Sequence, residues 1–239
     1  MRTLDVTTLP ARTAANSQPR SASSLSPRAL RSVKVAVFVL CLVPFVRLFV
    51  LGGLDRLGTN PVEFVTRSTG TWTLVMLCVT LSVTPLRRML GWNWLIRLRR
   101  MLGLFAFFYA TVHFTTYVWF DQWFELTEIA RDIVERPFIT VGFVAFVTLI
   151  PLAATSTDAM MRRLGRRWSM LHRLAYVAAI AGVVHFWWHK SAKNDLGEPL
   201  IYAAIVAALL GWRLWARLRD GRARARTPSP IAPPPPRGG

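Results

Sequence analysis

Six stretches of about 20 apolar residues, separated by short polar links, constrain this 239-residue chain more than any other feature. A helix rising 1.5 Å per residue needs about 20 residues to cross a hydrocarbon core of roughly 30 Å. Lipid offers no water to stray backbone N–H and C=O groups, so each run must close its own hydrogen bonds as a helix. The runs span residues 32–54 (broken by Pro44 and carrying Arg47), 70–86, 100–120, 137–154, 169–188 and 199–218. They predict an all-α fold, a polytopic membrane bundle of six transmembrane helices. Around it, residues 1–31 read as a disordered basic arm, 32–218 as the transmembrane domain and 219–239 as a basic, Pro-rich disordered tail.

Charge orients the bundle. The formal net charge is +18, and a value that large raises the question of nucleic acid. The arginines, however, cluster at the ends of apolar runs and in the two tails, which fits topology rather than a nucleic-acid surface, so no nucleic-acid partner is expected. Arg87, Arg88, Arg97, Arg99 and Arg100 fill one link, and Arg162, Arg163, Arg166 and Arg167 fill another against a lone Asp158. The alternate links hold the acids: Asp55 and Glu63, then Asp121, Glu125, Glu128, Asp132 and Glu135, then Asp195 and Glu198. Arginine-rich links stay in the cytoplasm, so both termini are expected inside. Cys41 and Cys78 both fall within predicted spans and read as packing residues.

Three histidines, His113, His172 and His185, lie inside these apolar runs, where imidazole needs a reason. Neutral imidazole is a strong ligand for heme iron, and histidines from facing helices can clamp one porphyrin. The third and fifth runs both start at the arginine-rich face. His113 lies 13 residues beyond Arg100 and His185 lies 13 beyond His172, so His113 and His185 should share a depth about 20 Å from that face. That predicts a bis-histidine heme between the third and fifth spans. His172 has no histidine at its own depth, where the third span offers Arg99 and Arg100. Two readings stay open: a second, inner heme on His172 with arginines pairing its propionates, or a quinone or flavin hydrogen-bonded to His172. A 13-residue step turns His172 about 140° off the His185 face. His189 lies one turn beyond His185 and reads as a headgroup-level histidine, with zinc a weaker alternative. Arg47 reads either as a propionate partner or as a snorkelling side chain.

Several motifs resemble one family. Arg99-Arg100-Met101-Leu102-Gly103-Leu104 leads through Phe107-Phe108-Tyr109-Ala110 to His113. Arg136-Pro137-Phe138-Ile139-Thr140-Val141-Gly142 opens the fourth span, and Pro151-Leu152-Ala153-Ala154-Thr155-Ser156 closes it. Leu164-Gly165-Arg166-Arg167-Trp168 precedes Leu171-His172-Arg173-Leu174. Together they are similar to the YedZ/MsrQ family, heme-binding membrane subunits of a bacterial periplasmic methionine-sulfoxide reductase system, over roughly residues 33–217. The resemblance implies a ferric-reductase-like transmembrane fold in the bacterial inner membrane, with one or two b-type hemes and FMN as a further cofactor. It implies electrons taken from quinone or a cytosolic flavin reductase and delivered to a periplasmic molybdopterin-containing reductase. The family's histidines fall on His113, His172 and His185, and its FMN site falls on no motif here.

No G-x-G-x-x-G follows a strand, so a built-in nicotinamide domain is not expected. No nucleophile, general acid or triad is visible either. The expected role is therefore an electron-transfer subunit rather than a catalyst alone. Two rivals remain: a metal reductase or quinone-oxidising diheme cytochrome, and a non-redox transporter or assembly factor, which would carry no chromophore.

Overall fold

The computed structural model describes residues 25–191 and 194–226, and among them only helices and turns occur. The helices are α1 (Pro27–Gly53), α2 (Pro61–Leu90), α3 (Arg99–Thr116), α4 (Leu126–Glu135), α5 (Pro137–Ala154), α6 (Asp158–Leu164), α7 (Arg166–Leu171), α8 (Leu174–Ser191) and α9 (Gly197–Arg226). A 3₁₀ turn over Asn93–Arg97 precedes α3, and a π turn over Tyr117–Asp121 ends it. Six helical stretches are long and apolar enough to cross a membrane, the third being Arg99–Asp121 and the fifth Arg166–Ser191. The protein is a multi-pass membrane protein.

Local chemistry sets the ends. Ser26 caps α1 by accepting from the Ala29 N–H, with Pro27 in the first turn, where its missing N–H costs nothing. Asn60 caps α2 in the same way through Glu63, and Gly91 stops it in the left-handed conformation. Helices α1 and α9 extend beyond the apolar runs. Residues 27–31 and 219–226 are helical rather than part of an irregular arm and tail, because Ala and Arg are strong helix formers and need no lipid to wind. The remainder of the expected arm and tail lies outside the described residues.

Two interruptions differ from the sequence reading. Pro44 does not break α1, which runs through it. The Tyr109 hydroxyl, fully buried, donates to the Cys41 carbonyl at 2.7 Å, and the Phe45 backbone lies within hydrogen-bonding reach of the same oxygen. A side chain inserted into the ladder thus meets polar groups that a helical proline disturbs. The fifth span, by contrast, is not one helix. It breaks at His172 and Arg173, where Arg173 N–H donates to Met170 O and Tyr176 N–H to Arg173 O in tighter three-residue steps. A rotation counted along an unbroken helix from His172 to His185 therefore does not apply.

The core joins α2, α3, α5 and α8. Small residues let the backbones approach: Ala106, Ala178 and Ala179 are fully buried, and a Cβ at Gly182 would meet Leu74 at 3.0 Å. Helix α1 packs on the outside through Phe38 against Phe105 and Phe45 against Phe108, and leaves Val39, Leu40 and Phe49 exposed. Exposed apolar side chains of this kind suit a surface that faces lipid.

The link after α3 forms a structure of its own. Leu126, Ile129, Ala130, Ile133 and Val134 recur at helical spacing and make α4 amphipathic. Asp132, buried on that helix, accepts from Gln122 at 2.6 Å and Tyr117 at 3.2 Å and pairs with Arg136 at 3.2 Å. Those three partners balance a carboxylate that is otherwise costly to bury. At the same end Lys190 is buried against Asp195 and Glu198. The arginine-rich links meet at the opposite end, where Arg100 pairs with Asp158 and Arg88 with Asp220.

Candidate functional site: a paired-imidazole centre

His113 on α3 and His185 on α8 come together, with ring centres 6.1 Å apart and planes inclined at 68°. Each ring is held from behind. His113 Nδ1 donates to the Thr66 carbonyl of α2 at 2.9 Å, and His185 Nδ1 donates to the Phe138 carbonyl of α5 at 2.7 Å. A carbonyl oxygen can only accept, so Nδ1 bears a proton in each ring. In the neutral imidazole this leaves Nε2 with its lone pair, one ligating atom per ring.

A glycine makes room for each ring. A Cβ on Gly70 would come within 3.0 Å of His113, and one on Gly142 within 2.7 Å of His185. In both cases the glycine lies one turn beyond the accepting carbonyl, at 70 after 66 and 142 after 138. Histidine and carbonyl are 47 residues apart in both. The whole arrangement recurs at an offset of 72 residues, from 66, 70 and 113 to 138, 142 and 185, and the sequence Val-His-Phe recurs with it at 112–114 and 184–186. The site is thus built from two equivalent helix pairs, α2 with α3 and α5 with α8.

This arrangement fits an iron porphyrin held by two imidazoles. A metal–imidazole bond of about 2.0 Å on each side, with each ring centre about 1.1 Å behind its nitrogen, separates the centres by about 6 Å. No group of three or more His, Cys, Asp or Glu side chains suited to a bare metal ion occurs among the described residues. His189 packs its ring against Phe138, 6.2 Å between centres.

The histidine nearer the arginine-rich end, His172, is set differently; it marks an inner level, and His113 and His185 an outer one. His172 closes α7, and its ring stacks on Trp168 with centres 3.9 Å apart. Its Nδ1 donates to the Trp168 carbonyl at 3.1 Å, again leaving Nε2 with its lone pair. Trp168 is itself anchored, its indole N–H donating to Thr155 O at 3.0 Å. The offset of 72 carries Arg100 onto His172, so this level has an arginine where the outer level has a second histidine. Arg100 pairs with Asp158, whose carboxyl it holds below the usual carboxylate range. Arg99 lies within electrostatic reach of His172. Arg47 is exposed on α1.

Sequence reasoning found the histidines but not Thr66, Gly70, Phe138 or Gly142, which act through backbone atoms or through lacking a side chain. The repeated Val-His-Phe, with a glycine 43 residues before each histidine, is the signal that points to them.

Residues 69–183 match the ferric reductase like transmembrane component family. The chain is 61% identical over 201 residues to the protein-methionine-sulfoxide reductase heme-binding subunit MsrQ of Ralstonia nicotianae, covering 84% of this chain and 93% of that one. It is 58% identical over 193 residues to the protein of the same name from Herminiimonas arsenicoxydans, covering 80% and 88%. Against that from Xanthomonas campestris pv. campestris the identity is 52% over 183 residues, covering 77% and 82%. With relatives this similar over nearly their whole length, the chain belongs to the YedZ/MsrQ family.

Proposed function

We propose that this chain is the heme-carrying electron-transfer subunit of a methionine-sulfoxide reductase system in the bacterial inner membrane. The observation that carries the reading is the His113–His185 pair, two neutral imidazoles at the separation one iron requires. Bound there, b-type heme would supply one-electron chemistry; His113 and His185 would hold it, and with their low-dielectric surroundings would set its potential. The chain's own part is to fix both tautomers through Thr66 and Phe138, to leave room through Gly70 and Gly142, and to keep water away. The functional unit is the bundle of residues 32–218, with its arginine-rich end and both termini in the cytoplasm.

His172, with Arg99 and Arg100 nearby, takes a second, inner cofactor, either another heme or FMN. Electrons arrive there from a quinol or a cytosolic flavin reductase and leave at the acidic outer end. Their acceptor is a periplasmic molybdopterin enzyme that reduces methionine sulfoxide, in line with the names of the relatives. Transient docking on the acid-bearing links, which include Glu128 and Glu135 of α4, would orient that encounter. The match to the ferric reductase like family favours one second reading, in which the outer end reduces ferric chelates directly.

Reconstitution separates the two readings. Protein in liposomes, reduced by a quinol analogue or by a flavin reductase with FMN, should be reoxidised only when the periplasmic enzyme and a methionine-sulfoxide substrate are both present. Reoxidation indifferent to that enzyme and rapid with ferric citrate would replace the first reading by the second. Absence of any visible chromophore would remove both.

A further inference from the structure

A second constellation lies at the arginine-rich end, among α2, α3, α8 and α9, and the histidine centre does not use it. Arg213 of α9 is only 9% exposed. It donates to the Tyr176 hydroxyl at 2.9 Å and to the Leu81 carbonyl at 2.7 Å, both neutral. Its buried Nε has no partner. Its guanidinium carbon lies 5.2 Å from the centre of the Tyr176 ring, and that of Arg217, one turn along α9, lies 6.0 Å from the same ring. Arg99 is within electrostatic reach of Arg213 and Tyr176. Three guanidinium groups thus gather about one tyrosine.

Among the described residues no Asp or Glu forms an ion pair with any of the three. The contrast at the same end is informative, since Arg88 and Arg100 each have a carboxylate of their own. An uncompensated cation buried in a membrane bundle is expensive, and three beside one another repel. An anion lowers both costs.

The kind of anion follows from the groups. Arginine's planar fork matches phosphate oxygens in pairs, and several guanidinium groups with no acid among them suit a multiply charged group better than a single carboxylate. We propose that Arg213, Arg217 and Arg99 form a phosphate-binding site at the arginine-rich end of the bundle. Two sources carry that chemistry. Leu214 and Leu218, both exposed on α9, give the site an apolar flank beside Arg217, as expected for an anionic phospholipid whose headgroup reaches between helices. A small phosphate compound from the aqueous side would use the same groups. The inference does not depend on the His113–His185 pair, and of its three arginines only Arg99 also lies within reach of His172.

The test uses the full chain, purified in phosphorus-free detergent. Native mass spectrometry follows binding of phosphatidylglycerol against phosphatidylcholine. Thermal-shift titration follows inorganic phosphate against chloride at matched ionic strength. Arg213→Gln and Arg217→Gln should each weaken binding about tenfold, while Arg88→Gln leaves it unchanged. Arg217 is exposed, so its variant keeps the test decisive should Arg213→Gln fail to fold. Selective loss for phosphatidylglycerol identifies a lipid site, and selective loss for inorganic phosphate identifies a soluble one. Binding of both probes that is equal in wild type and Arg217→Gln, or equally weakened by Arg88→Gln, would overturn the proposal.

Discussion

The outer and inner histidine levels are related by one sequence offset, yet they are built to opposite specifications. At the outer level two equivalent helix pairs each contribute a carbonyl, a glycine and a histidine, and the two rings meet 6.1 Å apart. At the inner level the same offset pairs His172 with Arg100, the helix breaks at the histidine, and the arginine turns to Asp158. A bundle can thus keep one end of a repeated frame rigid and symmetric while the other diverges. The outer level presents two imidazoles held in place from behind, which would suit a heme iron held between them. The inner level offers one imidazole, a stacked tryptophan and positive charge, which suits a cofactor with an anionic group and leaves its far side to something other than histidine.

The largest expected effect separates the levels functionally. His172→Ala should slow quinol- or flavin-driven reduction of the outer centre by an order of magnitude or more, measured by stopped-flow absorbance, while heme content at the outer level stays near wild type. Reduction at the wild-type rate would show that electrons bypass the inner level.

Next come the two glycines, which test whether the outer halves are as alike as their geometry. The added methyl in Gly142→Ala meets His185 at 2.7 Å and must displace it, whereas in Gly70→Ala it meets His113 at 3.0 Å. Gly142→Ala should weaken heme retention about tenfold, within the range for groups that orient a ligand, and Gly70→Ala should weaken it less. Pyridine hemochrome quantitation after dialysis reads both. The reverse order would mean that the methyls act through helix packing rather than through the rings.

A smaller effect is expected from Tyr109→Phe, which leaves the Cys41 carbonyl without its donor beside Pro44. A loss of about 1 kcal/mol is expected, seen as a lower thermal midpoint with an unchanged heme spectrum.

Asp158→Asn should do least to the fold, because the Arg100–Asp158 pair is exposed. Its consequence is a pH dependence. The Asp158 carboxyl is held below its ordinary value of about 3.9, so the pair stabilises the folded chain above that value and is lost as pH falls further. Wild type should therefore lose a small stability increment on acidification below about pH 4 that Asp158→Asn lacks, compared by thermal melts across that range.

Much of this architecture could be read from the chain, for identifiable reasons. Run length and arginine placement reveal spans because the bilayer imposes both. The fourth apolar run and helix α5 share the bounds 137 and 154. The proximity of His113 and His185 was legible by counting because α3 and α8 are regular between the arginine-rich end and the histidines. The break at His172 was not, since neither glycine nor proline marks it. Helix α4 was hidden by its acids, which read as a polar link until their spacing is set against Leu126, Ile129 and Ile133. The carbonyls of Thr66 and Phe138 were beyond reach, because any residue carries one and only the tertiary fold chooses which is used.

The most direct test of the paired-imidazole centre is low-temperature electron paramagnetic resonance of the oxidised full-length protein, compared among wild type, His113→Ala, His185→Ala and His172→Ala. A low-spin bis-imidazole signal is expected in wild type and His172→Ala and should be absent from both other variants. That signal surviving in full in His113→Ala or His185→Ala would contradict a heme shared by these two histidines.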